Sequence, residues 1–167
     1  MLELGRIKSL IRVLNEPANT MQECDRKRVA ILQLGDLGDE SAVHPLLGFI
    51  NENIYSITAI AAIGKLRYVN SKEGDILFIV DKLAEKVENG SYYESINAID
   101  ALKKIAQQKI DSSEVVGRVL FIMKNNGNNN SDLRCSVIKK LKELKDTKEF
   151  HKPKQGKTVT ERKKARY

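Results

Sequence analysis

The chain has 167 residues and a net charge of +7, with 29 Lys and Arg against 22 Asp and Glu, 41% hydrophobic residues, three Pro and no Trp. That length and apolar share are ordinary for one soluble domain with its own core, and the scarcity of Pro beside many Leu, Ile, Ala, Lys and Glu favours helix. No apolar run approaches the ~18 residues of a membrane span, and the amphipathic start MLELGRIKSLIRVL lacks the apolar centre of a secretory signal.

Leu4, Ile7, Leu10, Ile11 and Leu14 recur at spacings of three and four, which puts them on one face of a first helix. Asn15-Glu16-Pro17 ends it, because Pro cannot donate the next hydrogen bond and disfavours helical geometry before it. A second helix is predicted from near Met21 to Leu34, with Gly35 and Gly38 bracketing the turn after it. Asp39 or Ser41 is placed to cap a third helix, whose stripe is Val43, Leu46, Leu47 and Ile50 and whose Pro45 fits only near the first turn.

Further on, Ile57, Ile60, Ala61 and Gly64 are expected to face one way in a fourth helix. Ile76, Ile79, Val80, Leu83 and Val87 then mark a longer partner. Ile96, Ile99, Leu102 and Ala106 follow Ser91. The start signal Asp111-Ser112-Ser113-Glu114 resembles a capping box ahead of Val115, Val116, Val119, Leu120 and Met123. A polar low-complexity loop, Asn125–Asn130, precedes a last expected helix from near Ser131 through Leu144.

Alternate helices align without gaps: RVAILQLGD (28–36), ITAIAAIGK (57–65), INAIDALKK (96–104) and SVIKKLKE (136–143). Ala30, Ala59, Ala98 and Val137 share one register at spacings of 29, 39 and 39 residues. Ile31, Ile60, Ile99 and Ile138 share a second, and Leu34, Ile63, Leu102 and Leu141 a third. Three registers over four segments describe a repeat of helix pairs, each unit burying its apolar face only by stacking on the next.

The stretch RVAILQLGDLGDESAVHPLL resembles the HEAT-repeat class, and within it the short PBS-lyase HEAT-like type. The likeness is strongest over 28–50 and weaker over 53–87 and 91–145, where Lys103-Lys104 and Lys142-Glu143 replace the Gly-Asp turn. It implies an all-α fold: a short α-solenoid of about seven helices over residues 1–146, followed by a basic C-terminal tail over 147–167. It also implies protein–protein interaction as a non-catalytic scaffold, because this fold serves many tasks and its long surface is what they share. Two enzyme groups resemble the same repeats and stand as the alternative reading: the bilin lyases, none of whose functional residues maps onto this chain, and the HEAT-like DNA glycosylases, which grip DNA with aromatics where this chain has no Trp.

Catalytic chemistry has little foothold in the sequence. His44 and His151 stand alone, no HxxxH, ExxH or Cys/His spacing suits a metal, and no Gly-rich loop of the phosphate-cradling kind occurs. Asp36, Asp39 and Glu40 sit at a helix junction, where acids stabilise the next N-terminus. The reading is therefore no enzyme, no cofactor and no metal. Cys24 and Cys135 are far apart and read as reduced thiols, and the expected setting is the cytoplasm, away from membranes.

Two kinds of binding residue stand out. Tyr92 and Tyr93 offer aromatic contacts to a protein partner at the head of a helix. The charge is also lopsided: Lys145 to Tyr167 holds nine basic residues and three acids, a net of +6. Lys152, Lys154, Lys157, Arg162, Lys163, Lys164 and Arg166 of that tail suit the phosphates of RNA, as in a ribosome-like particle. Lys65, Lys103, Lys104, Lys139, Lys140 and Lys142 would extend the basic surface as a row on the stacked repeats.

Overall fold

The structure is a computed structural model that describes residues 2–108, 112–125 and 139. These residues are all-helical: α1 (Leu2–Asn15), α2 (Met21–Leu37), a 3-10 turn (Glu40–Ala42), α3 (Val43–Leu47), α4 (Ser56–Ile63), α5 (Glu73–Asn89), α6 (Tyr92–Gln108) and α7 (Ser112–Asn125). The boundary between body and tail, and the helix expected from Ser131, lie outside the described residues.

Local chemistry sets the helix ends. The Thr20 hydroxyl accepts from the Glu23 amide at 3.2 Å while the Glu23 carboxylate accepts from the Thr20 amide at 2.8 Å, a reciprocal cap that starts α2. At the far end Gly38 takes φ 69°, in the left-handed region that glycine enters without strain. Asp39 Oδ1 then accepts from the Ser41 amide at 2.8 Å and opens the 3-10 turn into α3, which places Pro45 in a first turn.

One glycine departs from the sequence reading. Gly35 lies inside α2 rather than in the turn. A Cβ on it would stand 2.8 Å from both Cα and Cβ of Ala62, so the absent side chain serves helix-to-helix contact. Gly64 repeats the arrangement one unit on, where a Cβ would meet Ala101 Cα at 2.8 Å.

These approaches bind α2, α4 and α6 side by side in that order, while α1, α3 and α5 pack against α2, α4 and α6 respectively. α7 packs chiefly on α5. The register positions Ala30, Ala59 and Ala98, then Ile31, Ile60 and Ile99, then Leu34, Ile63 and Leu102, are buried in all three helices. At about 1.5–3 kcal/mol per buried branched side chain, these rows are the chief cohesive element of the core.

Candidate functional site

Because α2, α4 and α6 share a register, the positions that miss the core fall on one common face. Val29 and Leu32 of α2 are exposed there, as are Ile57 of α4, Ile54 just ahead of it and Tyr93 in the first turn of α6. Thr58, Ala61 and Asn97 lie among them, partly buried. From Asn53 to Gly64 the chain has no charged side chain. The face is thus apolar along α4, while Arg28 on α2 stands at the register position of Ile57 and Asp100 on α6 at that of Ala61.

This differs from the sequence reading of α4. Ile57 and Ala61 were expected on the core side with Ile60, whereas Ile57 is 41% exposed and the buried set is Ala59, Ile60, Ala62 and Ile63. A segment without charged side chains, polar only at Ser56 and Thr58, gives little periodic signal for which side faces in. The same lack of charge was a sign that α4 carries an exposed apolar side.

Around the head of α6, Tyr92 and Tyr93 are both about two-thirds exposed, and their rings meet edge to face, 5.6 Å apart at 75°. Behind them lies Glu94. Ser56 of α4 donates its hydroxyl to the Glu94 carboxylate, Lys86 of α5 donates at 3.3 Å and the Ser91 amide at 2.7 Å. Burial opposes the charge, but these donors and the Lys86 ammonium outweigh it and hold the Glu94 carboxyl at about 2. One carboxylate therefore ties three helices together directly beneath the tyrosines. Beside the face, burial and a contact with the Cys24 thiol push the Tyr55 phenol up to about 12.

At the opposite end the loops after α2 and α4 lie together. The Arg67 amide donates to the Gly38 carbonyl at 2.9 Å, forming a parallel bridge between Asp39 and Arg67. Glu40 accepts from the Asn70 amide at 2.9 Å and from the Ser71 amide and hydroxyl at 3.0 Å. A cleft of about 510 Å³ opens between the two loops. Its carboxylates act as local caps: the Ser41 hydrogen bonds hold Asp39 below the usual range, and Glu40 is likewise lowered, the Asn70 and Ser71 donors prevailing over desolvation.

Of the basic residues singled out from sequence, four lie among the described residues: Lys65, Lys103, Lys104 and Lys139. Lys65 reaches back to Asp36, the register-equivalent position of α2, in a 2.7 Å ion pair. Lys103 is half-buried and Lys104 exposed near the end of α6, and Lys139 is exposed. Lys140, Lys142 and the tail residues Lys152, Lys154, Lys157, Arg162, Lys163, Lys164 and Arg166 lie outside the described residues. Among the described residues no three His, Cys, Asp or Glu side chains group as metal ligands would, and no helix is long and apolar enough to cross a membrane. In comparisons with known proteins, no family, curated protein or solved structure matches the chain.

Proposed function

We propose that the chain is a short HEAT-like α-solenoid acting as a cytoplasmic, non-catalytic protein-binding scaffold, with the common face of α2, α4 and α6 as its docking surface. One observation carries this reading. Val29, Leu32, Ile54, Ile57 and Tyr93 stand between 40% and 67% exposed on that face, around a segment without charge. Water contact over such a cluster is unfavourable, and burying it against a partner recovers about 25 cal/mol per Å². The Glu94 cluster and the Gly–Ala approaches support the reading further, since they fix the backbone of the face before a partner arrives.

The test compares the full chain with a Leu32→Asp, Ile57→Asp double variant, each used to recover partners from native lysate with and without nuclease. The proposal expects the variant to lose proteins that the parent retains after nuclease. Recovery that is indifferent to both substitutions defeats it. The net charge of +6 over residues 145–167 favours a second reading, an RNA-anchored component of a ribonucleoprotein such as the ribosome. That reading expects the opposite pattern, with recovery abolished by nuclease and unchanged by the face substitutions.

A further inference from the structure

The outer side of α1 carries charge of one sign. Ile7, Leu10, Ile11 and Leu14, at spacings of three and four, pack on the core. Gly5, Lys8, Ser9 and Arg12 repeat the same spacing two residues earlier, which puts them on the opposite face, and all four are exposed. Arg6 is exposed beside that stripe. From Leu4 to Asn15 the helix has no acidic residue. Among the described residues none of its three cations makes an ion pair, whereas Arg28 is held by Asp25, Lys82 by Glu85 and Arg118 by Asp81.

The fold does not ask for this arrangement. The first helix of a stack needs a polar outer side, but mixed acids and bases supply one equally well. Arg12, in the last turn, complements the helix dipole. Arg6 and Lys8 stand away from that end, and Lys8 and Arg12, four apart, repel one another. Gly5 is also unexplained by packing. A glycine inside a helix is destabilising relative to alanine, and a Cβ on this one would meet nothing within 4 Å. With Ser9 one turn on, it leaves the middle of the stripe without bulk, between Arg6 on one side and Lys8 and Arg12 on the other.

Such a stripe suits a chain of phosphates, which lies close to the bare backbone with cations along both sides. Residues four apart on a helix stand about 6 Å apart at Cβ, close to the interval between successive phosphates of one strand. The stripe has no aromatic ring on which a base would stack, so the contact it offers is with the backbone of a nucleic acid rather than with its sequence. A membrane surface fits less well, because α1 turns its apolar side chains to the core and leaves only Leu4 exposed to insert.

We propose that Arg6, Lys8 and Arg12 form a binding site for the phosphodiester backbone of single-stranded RNA, which runs along the Gly5–Ser9 stripe. The site rests on the RNA reading and extends it from residues 145–167 to the helical body. It shares no residue with the docking face of α2, α4 and α6.

The test follows binding of the full chain to a short labelled oligouridine by fluorescence anisotropy over a series of salt concentrations. Each single-strand phosphate contact contributes about 0.7 to the slope of log affinity against log salt. Arg6→Gln, Lys8→Gln and Arg12→Gln combined should therefore make the slope shallower by about 2 and weaken binding about tenfold at about 50 mM salt, equally for oligouridine and oligocytidine. Lys27→Gln, Lys72→Gln and Lys104→Gln combined remove the same charge from three separate places and should weaken binding less than about threefold. Gly5→Leu keeps the charge but covers the bare backbone, and should weaken binding about fivefold. Gln and Leu are good helix formers and the replaced positions on α1 are exposed, so melting temperatures should not fall. Equal losses in the two triple variants overturn the proposal, since only diffuse charge would then attract RNA. An oligoglutamate peptide that competes as strongly as unlabelled RNA of equal charge also overturns it, because the stripe would then serve an acidic protein. If the parent binds no RNA, the RNA reading falls together with the site. If the parent binds and the α1 triple variant matches it in affinity and slope, the site alone falls.

Discussion

Gly35 and Ala62 approach so closely that there is no room for a methyl group between α2 and α4, and Gly64 and Ala101 repeat the relationship between α4 and α6. At Gly35, inside α2, helix propensity and packing therefore pull in opposite directions, whereas Gly64 caps the end of α4. Gly35→Ala gains about 1 kcal/mol of helix propensity but forces backbone apart, at about 1–3 kcal/mol, and Gly64→Ala meets the same obstruction without that gain. Gly35→Ala and Gly64→Ala should each lower the urea midpoint. Gly5→Ala, at a helical glycine with nothing within 4 Å of its added carbon, should leave it unchanged or raise it.

At the register position of Gly35 and Gly64, α6 carries Lys103, whose side chain stands where those glycines have none. Gln108 instead closes the end of the second loop. Its side-chain oxygen accepts from the Tyr68 amide at 3.0 Å and its nitrogen donates to the Leu66 carbonyl at 2.9 Å, as a neighbouring peptide would. Gln108→Ala should cost about 1–3 kcal/mol, because it leaves a donor and an acceptor unmatched at a half-buried site. Gln108→Glu keeps the acceptor but sets a carboxylate against the Leu66 carbonyl, so it should not restore stability. Amide exchange at Tyr68 should quicken in Gln108→Ala, which removes its acceptor, and not in Gln108→Glu, which keeps it.

Along α4 the two sides of the helix should respond differently to truncation. Ile60 is fully buried between its neighbours, and Ile60→Ala should cost about 2–5 kcal/mol. Ile57→Ala on the exposed face should change stability by less than about 0.5 kcal/mol. Chemical denaturation of the two variants separates core from docking surface. Equal losses would place Ile57 in the core, as its spacing alone suggests.

The contrast between those two isoleucines shows how far sequence carries. Helix positions and the buried registers were legible because apolar residues recur at three and four and the units repeat. The side of α4 that faces out was not, because Ser56–Ile63 has no charged residue to mark it, and of its two hydroxyl residues Ser56 is buried while Thr58 is partly exposed. Gly35 was read as a turn residue because glycine serves turns and close packing equally well, and only the neighbouring helix distinguishes them. The capping residues Thr20 with Glu23 and Ser91 with Glu94 stand at the spacing a capping box requires, so those signals were present in the sequence. The link from Glu94 to Ser56, 38 residues away, left no trace there.

That link should be visible as a pH dependence. Glu94 is held at about 2 in the folded chain against an ordinary 4.5, so the folded state binds its proton more weakly than the unfolded one does. The stabilisation is complete above pH 4.5 and is lost as pH falls from there toward 2. With its side chain 16% exposed, the loss should be on the order of 2 kcal/mol after allowance for solvent screening. Glu94→Gln keeps an amide oxygen for Ser56 and Ser91 but carries no proton to gain, so its stability should fall less over the same window. Melting temperatures of the parent and of Glu94→Gln, taken between pH 2.5 and 6, should converge toward the acid end. Parallel curves would mean that the carboxylate's three-helix junction does not govern the acid response, and that the fall belongs to charge spread over the rest of the surface.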